Sequence, residues 1–207
     1  QSVAITVTNA NDAPTIGTNA GITVNEGATG TTIGTGNLSI ADIDSTAANL
    51  TLTTGTAPAH GTLYLSGSPL ASGGTFTQAD LAAGNVTYSH DGSETTADSF
   101  TFTVSDGAGG SISATTFNIT VTPVNDLPVI TNLNGDSTNF VAGGSAVNID
   151  VSGNAAISDA DSANFNGGNL TITNTGGTNN GSFSVDGTTV TSGGDGVIAA
   201  GEKIGRA

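Results

Sequence analysis

Two short acidic strings are the residues of this chain best suited to chemistry. Asp42 and Asp44 flank a single residue in IADIDS (40–45), and Asp159 and Asp161 do the same in ISDADS (157–162). Alternate carboxylates in a loop can point at one ion. Calcium fits such a set, because it takes roughly six to eight oxygen ligands from carboxylates, Asn and backbone carbonyls in flexible geometry. Magnesium demands a tighter octahedron and keeps its waters. Asp is also an ordinary turn residue, and Asp80, Asp136, Asp186 and Asp195 read that way. Recurrence of the spaced pair argues against that reading for the two strings. Asp150 and Glu202 carry no assignment. His60 and His90 are the only histidines, and His90 precedes Asp91. No nucleophile elbow or metal-hydrolase motif surrounds them. The chain therefore reads as non-enzymatic.

The elements that must position these acids come from a repeat. Residues 5–16, ITVTNANDAPTI, match 119–130, ITVTPVNDLPVI, at eight of twelve positions with an offset of 114. IADIDS aligns with ISDADS at an offset of 117, and NLTLT (49–53) with NLTIT (169–173) at 120. GTLYLSG (61–67) aligns with GSFSVDG (181–187) at that same offset. The growing offset means small loop insertions in the second copy. Residues 1–12 read as the final strand and linker of a preceding repeat, 13–124 as repeat 1, and 125–207 as an incomplete repeat 2. A period near 110 residues is the size of an immunoglobulin-like sandwich.

Alternation of apolar and polar residues sets the strands. Phe100, Phe102 and Val104 alternate with Ser and Thr, as do Phe117, Ile119 and Val121 with Asn and Thr. Leu50 and Leu52, Leu63 and Leu65, and Val86 and Tyr88 mark shorter strands. SDGAGGS (105–111) is a hairpin turn with Gly where positive φ is needed. One helical turn is expected at TQADLAAG (77–84), with Thr77 as N-cap and Gly84 as its stop. The expected fold is all-β: tandem Greek-key sandwiches, the second one truncated.

Stacking end to end sorts the acids. The first strand runs downstream to the turn VNEGAT (24–29), and the next returns to ADIDST (41–46). The last strand leaves downstream, so the hairpin at Asp106 lies upstream and HDGSETTADS (90–99) downstream. Upstream, this groups Asn11, Asp12, Asp42, Asp44 and Asp106. Downstream, it groups Glu26, Asp91, Glu94 and Asp98 with Asn125 and Asp126 of the linker. Asp159 and Asp161 of repeat 2 are expected to face that junction. Eleven of the 17 acidic residues thus fall at ends, against two basic residues, Lys203 and Arg206, in the whole chain. A formal charge of −15 repels itself unless cations bind or screen it.

The same deficit of Lys and Arg excludes nucleic acid as a partner and docking on an anionic bilayer. No run of about 18 apolar residues marks a membrane-spanning helix. The opening residues, QSVAITVT, lack the basic region and apolar core of a secretion signal and read as a strand.

Repeat 1 resembles the cadherin-like repeats of large bacterial (RTX-type) surface adhesins, and more narrowly the chondroitin-sulfate-proteoglycan type. The resemblance rests on HGTLYLSG (60–67), TFTQADLAAGNVTYSHDGSE (75–94), ADSFTFTVSDGAGG (97–110) and VTPVNDLP (121–128). Repeat 2 resembles a related repeat through NLNGDSTNFVAGGSAV (132–147) and ISDADS. By position, the resemblance implies a calcium junction built from Glu26, Asp98, Asn125, Asp126, Asp159 and Asp161. Repeat 2 has Ala142 where repeat 1 has Glu26, which weakens its own far end. The implied function is a calcium-rigidified spacer in an extracellular bacterial adhesin, supporting cell adhesion or biofilm attachment. Its partners would be neighbouring repeats of the same chain, and another copy lending a strand to the incomplete repeat. A calcium-dependent glycan- or surface-binding module is the alternative, set back by the presence of only two Tyr and no Trp.

Overall fold

The computed structural model describes residues 10–133, residue 4, residues 153–154 and 156–161, and the backbone of two short strands beyond them. The expected strand at 1–8, apart from residue 4, lies outside the described residues, as do Asp136, Ala142, Asp150, Asp186, Asp195 and Glu202. The chain divides into two compact units, Gln1–Val124 and Asn125–Ala207.

In unit 1 the strands are β1 (Thr15–Asn19), β2 (Ile22–Asn25), β3 (Thr31–Thr32), β4 (Leu38–Ala41), β5 (Thr51–Thr54), β6 (Gly61–Leu65), β7 (Ser68–Leu70), β8 (Thr75–Thr77), β9 (Val86–His90), β10 (Ala97–Ser105) and β11 (Ser111–Thr122). They form a five-stranded sheet in the order β2-β11-β10-β5-β8, a four-stranded sheet β3-β9-β6-β7, and a pair β1-β4. The expected alternation is present: on β10, Phe100, Phe102 and Val104 are buried between outward Ser and Thr. On the neighbouring β11, Phe117, which pairs with Phe100, is buried likewise, as are Ile119 and Val121. Both sheets supply one core, in which Ile33, Leu63, Val86 and Tyr88 meet the three phenylalanines. Phe100 and Phe117 lie with ring centroids 5.0 Å apart. Each such side chain contributes about 1.5–3 kcal/mol by leaving water.

One expectation needs correcting. The first strand is not continuous. It breaks at Ala20–Gly21, where β1 leaves its partner β4 and β2 pairs in parallel with β11, Ile22 opposite Ile119 and Val24 opposite Val121. Gly21 makes the crossing possible: its φ is +74, and a Cβ there would sit 2.5 Å from the Asn118 carbonyl oxygen.

Among the described residues the single helix, α1 (Gln78–Ala83), is where the sequence placed it. The Thr77 hydroxyl accepts from the Asp80 amide, the Asp80 carboxylate accepts from the Thr77 amide, and Gly84 ends the helix with φ 73. A helix of six residues is too short to persist alone, so these caps and its burial hold it. In return it fixes the acidic loop. The Gln78 side chain accepts from the Ile40 amide at 2.7 Å, and the Ala79 amide donates to the Ala47 carbonyl at 3.1 Å. The residues on either side of Asp42 and Asp44 are thereby tied down.

In unit 2, β12 (Val129–Thr131) pairs antiparallel with β13 (Ala156–Ser158), and β14 (Phe183–Val185) with β15 (Thr188–Val190). The β12–β13 register, Val129 opposite Ser158 and Ile130 opposite Ile157, repeats that of β1–β4, Thr15 opposite Ala41 and Ile16 opposite Ile40. Among the described residues no helix is long and apolar enough to cross a membrane.

Candidate metal centre

Asp42 follows β4 and opens a tight turn. Its Oδ1 accepts from the amides of Asp44 (2.9 Å) and Ser45 (3.0 Å). Its Oδ2 is shielded from solvent and has no hydrogen-bond partner. Asp44 turns its Oδ2 to the amide of Asp12 at 3.1 Å. On the hairpin between β10 and β11, Asp106 is buried, and its Oδ1 accepts from Ala108 (2.7 Å) and Gly110 (3.0 Å). Its Oδ2 accepts from the side chain of Asn11 at 2.8 Å. Gly110 leaves room for the incoming chain, since a Cβ there would overlap the Asp106 carboxylate and lie 2.9 Å from the Ala13 Cα. The structure thus brings Asn11, Asp12, Asp42, Asp44 and Asp106 together at the upstream end of unit 1.

The carboxylates perturb one another. The Asp44 amide and then the Asp44 side chain hold Asp42 below the usual carboxylate range, while the same Asp42 contact pushes Asp44 above it. Asp42 gives up its proton before Asp44 does, as neighbouring carboxylates do. The Asn11 side chain foremost, then the Ala108 amide, lowers Asp106. A hard cation resolves the rest. The donor set is all oxygen, and a buried carboxylate oxygen with nothing to accept from is costly unless a cation sits against it. The residues fit calcium: Asp42, Asp44 and Asp12 would hold it, with Asp106 and Asn11 bracing them. Coordination by oxygens of this kind suits calcium better than zinc, which favours nitrogen and sulfur.

Unit 2 repeats the arrangement in its own residues. The Asp126 amide donates to Asp161 Oδ2, and the Asn125 side chain donates to the Asp126 carbonyl at 2.6 Å, as Asn11 does to Asp12 at 2.9 Å. Asp159 sits between β13 and Asp161, the place of Asp42.

The downstream end of unit 1 has its own acids, several of them hydrogen-bonded within the fold. The Glu26 amide donates to the Thr122 carbonyl at 2.9 Å, and Glu26 Oε2 accepts from the Val124 amide at 3.2 Å. Asp98 is fully engaged within the fold. It accepts from the amides of Ala59 (3.0 Å), His60 (3.1 Å) and Ser99 (2.8 Å) and from the Tyr88 hydroxyl (2.8 Å). Burial and that bond push the Tyr88 phenol up. Asp91 accepts the Ser93 amide and hydroxyl, the hydroxyl first among the causes that lower its carboxyl. His90 is buried, its Nδ1 facing the amides of Gly27 (3.3 Å) and Gly92 (3.2 Å) and its Nε2 the Thr95 hydroxyl (3.1 Å). It is a bracket between two loops. The Ser93 hydroxyl is directed at Asp91, so His60, 3.2 Å away, is not placed as its base. Sequence reasoning missed Gln78, which supports the loop of Asp42 and Asp44 from α1; a lone Gln in a helix gave no signal of it.

A family model described as cadherin-like matches residues 14–121. The chain is 38% identical over 98 residues to human FRAS1-related extracellular matrix protein 1, covering 47% of this chain and 4% of that protein. It is 38% identical over 135 residues to the human extracellular matrix organizing protein FRAS1, covering 64% and 3%, and 38% identical over 109 residues to the mouse one, covering 52% and 3%. The chain therefore spans only a small part of these relatives. They are animal matrix proteins, so they do not carry the bacterial side of the sequence resemblance. Together with the all-β sandwich, the match over unit 1 settles the family: the chain belongs to the cadherin-like family.

Proposed function

We propose that this chain is a spacer segment of an extracellular protein, made of cadherin-like repeats that calcium stiffens. The observation carrying this is Asp42 Oδ2, shielded and without a partner among four neighbouring acidic or amide side chains. Calcium would neutralise that group and tie the linker residue Asp12 to the loop of Asp42 and Asp44. In unit 2, Asp126, Asp159 and Asp161 would do the same. Extracellular modules bind calcium at about 0.1–1 mM, so the ion would load outside cells. The extracellular setting is supported by the names of the matched relatives, which are extracellular matrix proteins. Assignment to a bacterial surface adhesin, in cell adhesion or biofilm attachment, rests on the sequence resemblance. Neighbouring repeats are the proposed partners, and strand addition by a second copy concerns residues outside those described. Catalysis has no support in the site: His90 braces two loops, and the Ser93 hydroxyl beside His60 is directed at Asp91. Calorimetric titration with calcium tests the reading. The wild-type chain should bind, and Asp42→Ala/Asp44→Ala should lose that heat from unit 1. A flat titration of the folded wild-type chain sinks the proposal.

A second reading, a calcium-dependent glycan- or surface-binding module, is favoured by one feature. The outward face of the five-stranded sheet carries Thr23 beside Thr120, Thr101 beside Thr116, and Thr103 beside Thr53, with no charge among them. Such a hydroxyl grid suits a neutral polysaccharide. A glycan array without hits retires it.

A further inference from the structure

Each Asn-Asp pair is held to the repeat that follows it in the chain. Ahead of unit 1, the Asp12 amide donates to Asp44, and Asn11 donates to both Asp106 and the Asp12 carbonyl. In unit 2 the Asp126 amide donates to Asp161, and Asn125 donates to the Asp126 carbonyl. Asp44 and Asp161 hold the same place in the two repeats, the second acid of each Asp-x-Asp string. The bond therefore appears twice, in surroundings that differ: Ile43 stands between the two acids in one and Ala160 in the other. Bonds from unit 1 reach as far as Val124, whose amide donates to Glu26. Those of unit 2 begin at Asn125 and Asp126.

We propose that the Asn-Asp linker is a built-in part of the downstream repeat, clasped by an amide-to-carboxylate hydrogen bond that needs no metal. The second acid of each string then does two things. One of its oxygens takes the linker amide, and the other stays available to a cation. A charged acceptor makes this bond stronger than a neutral one. Ordering the linker in advance spares an incoming ion the entropy of doing so.

Amide hydrogen exchange on the full chain, in excess chelator throughout, tests the clasp. The Asp12 and Asp126 amides should exchange about tenfold or more slowly than an unbonded amide. Asp44→Ala should release Asp12 and leave Asp126 protected, and Asp161→Ala should do the reverse. Asp44→Asn keeps an accepting oxygen and should retain most of the protection. Protection of the β10 and β11 amides reports that unit 1 is still folded in each variant. Unprotected Asp12 and Asp126 amides in the wild-type chain overturn the proposal, as does protection of Asp12 surviving Asp44→Ala. With no metal present, failure here leaves the calcium reading standing, and failure of calcium binding leaves the clasp standing.

Discussion

Asp42 and Thr54 each bury a side-chain oxygen with no partner, the two cases among the described residues, and they call for opposite remedies. Thr54 lies buried on the core face of β5. An unpaired buried hydroxyl is a pure cost, so Thr54→Val should raise stability by about 1 kcal/mol, measured by urea unfolding. A loss of stability would mean that the hydroxyl has a partner after all. Asp42 instead sits among carboxylates, and its remedy is an ion. Asp98 shows the opposite situation, a carboxylate filled by four donors. Asp98→Ala strands the amides of Ala59 and His60 and leaves the Tyr88 hydroxyl only its longer bond to the His60 carbonyl, so it should cost about 3 kcal/mol, whether or not calcium is present. A calcium-dependent loss would return Asp98 to the ligand set. The sequence placed Asp98 on an acidic loop and the resemblance made it a calcium ligand, whereas the structure sets it in β10. Which acids face an ion and which are spent on backbone amides is decided by loop geometry that residue type does not encode.

Among the elements, the helix was the most legible, because its start and stop are local chemistry. Thr77 and Gly84 announce it, and both caps are in place. The hydrogen bonds from Thr77, side chain foremost, hold the Asp80 carboxyl below its ordinary value. A depressed carboxylate stabilises the fold above the unfolded-state value, about pH 4, and that contribution is lost as pH falls through the depressed folded-state value. The stability gap between wild type and Asp80→Ala should therefore be full at neutral pH and shrink below about pH 4. A gap independent of pH would deny the carboxylate its capping role. The break between β1 and β2 was not legible. Thr15 to Val24 reads as one alternating run, and the parallel pairing with β11 is a contact about 97 residues away in sequence, from Ile22 to Ile119. Gly21 was the only local hint. Gly21→Ala should destabilise unit 1 by about 1–3 kcal/mol, seen as a lower melting temperature.

For the whole molecule, charge and repetition were legible before any coordinates. The offsets of 114 and 117 predicted which strands correspond, and β12–β13 reproduces the register of β1–β4 through them. Composition carried the rest: 17 acids against two bases leave a body that must gather cations. What composition could not carry was the choice between screening by loosely held ions and binding at a built site. The shielded oxygen of Asp42, held in place by α1 through Gln78 and Ile40, favours a built site. Anomalous scattering from crystals grown in calcium tests this most directly. A peak is expected at the upstream end of unit 1, in contact with Asp42 Oδ2 and shared with Asp44 and Asp12. A well-ordered crystal at millimolar calcium with no peak there, and Asp42 Oδ2 paired with a protein group or water instead, would contradict it.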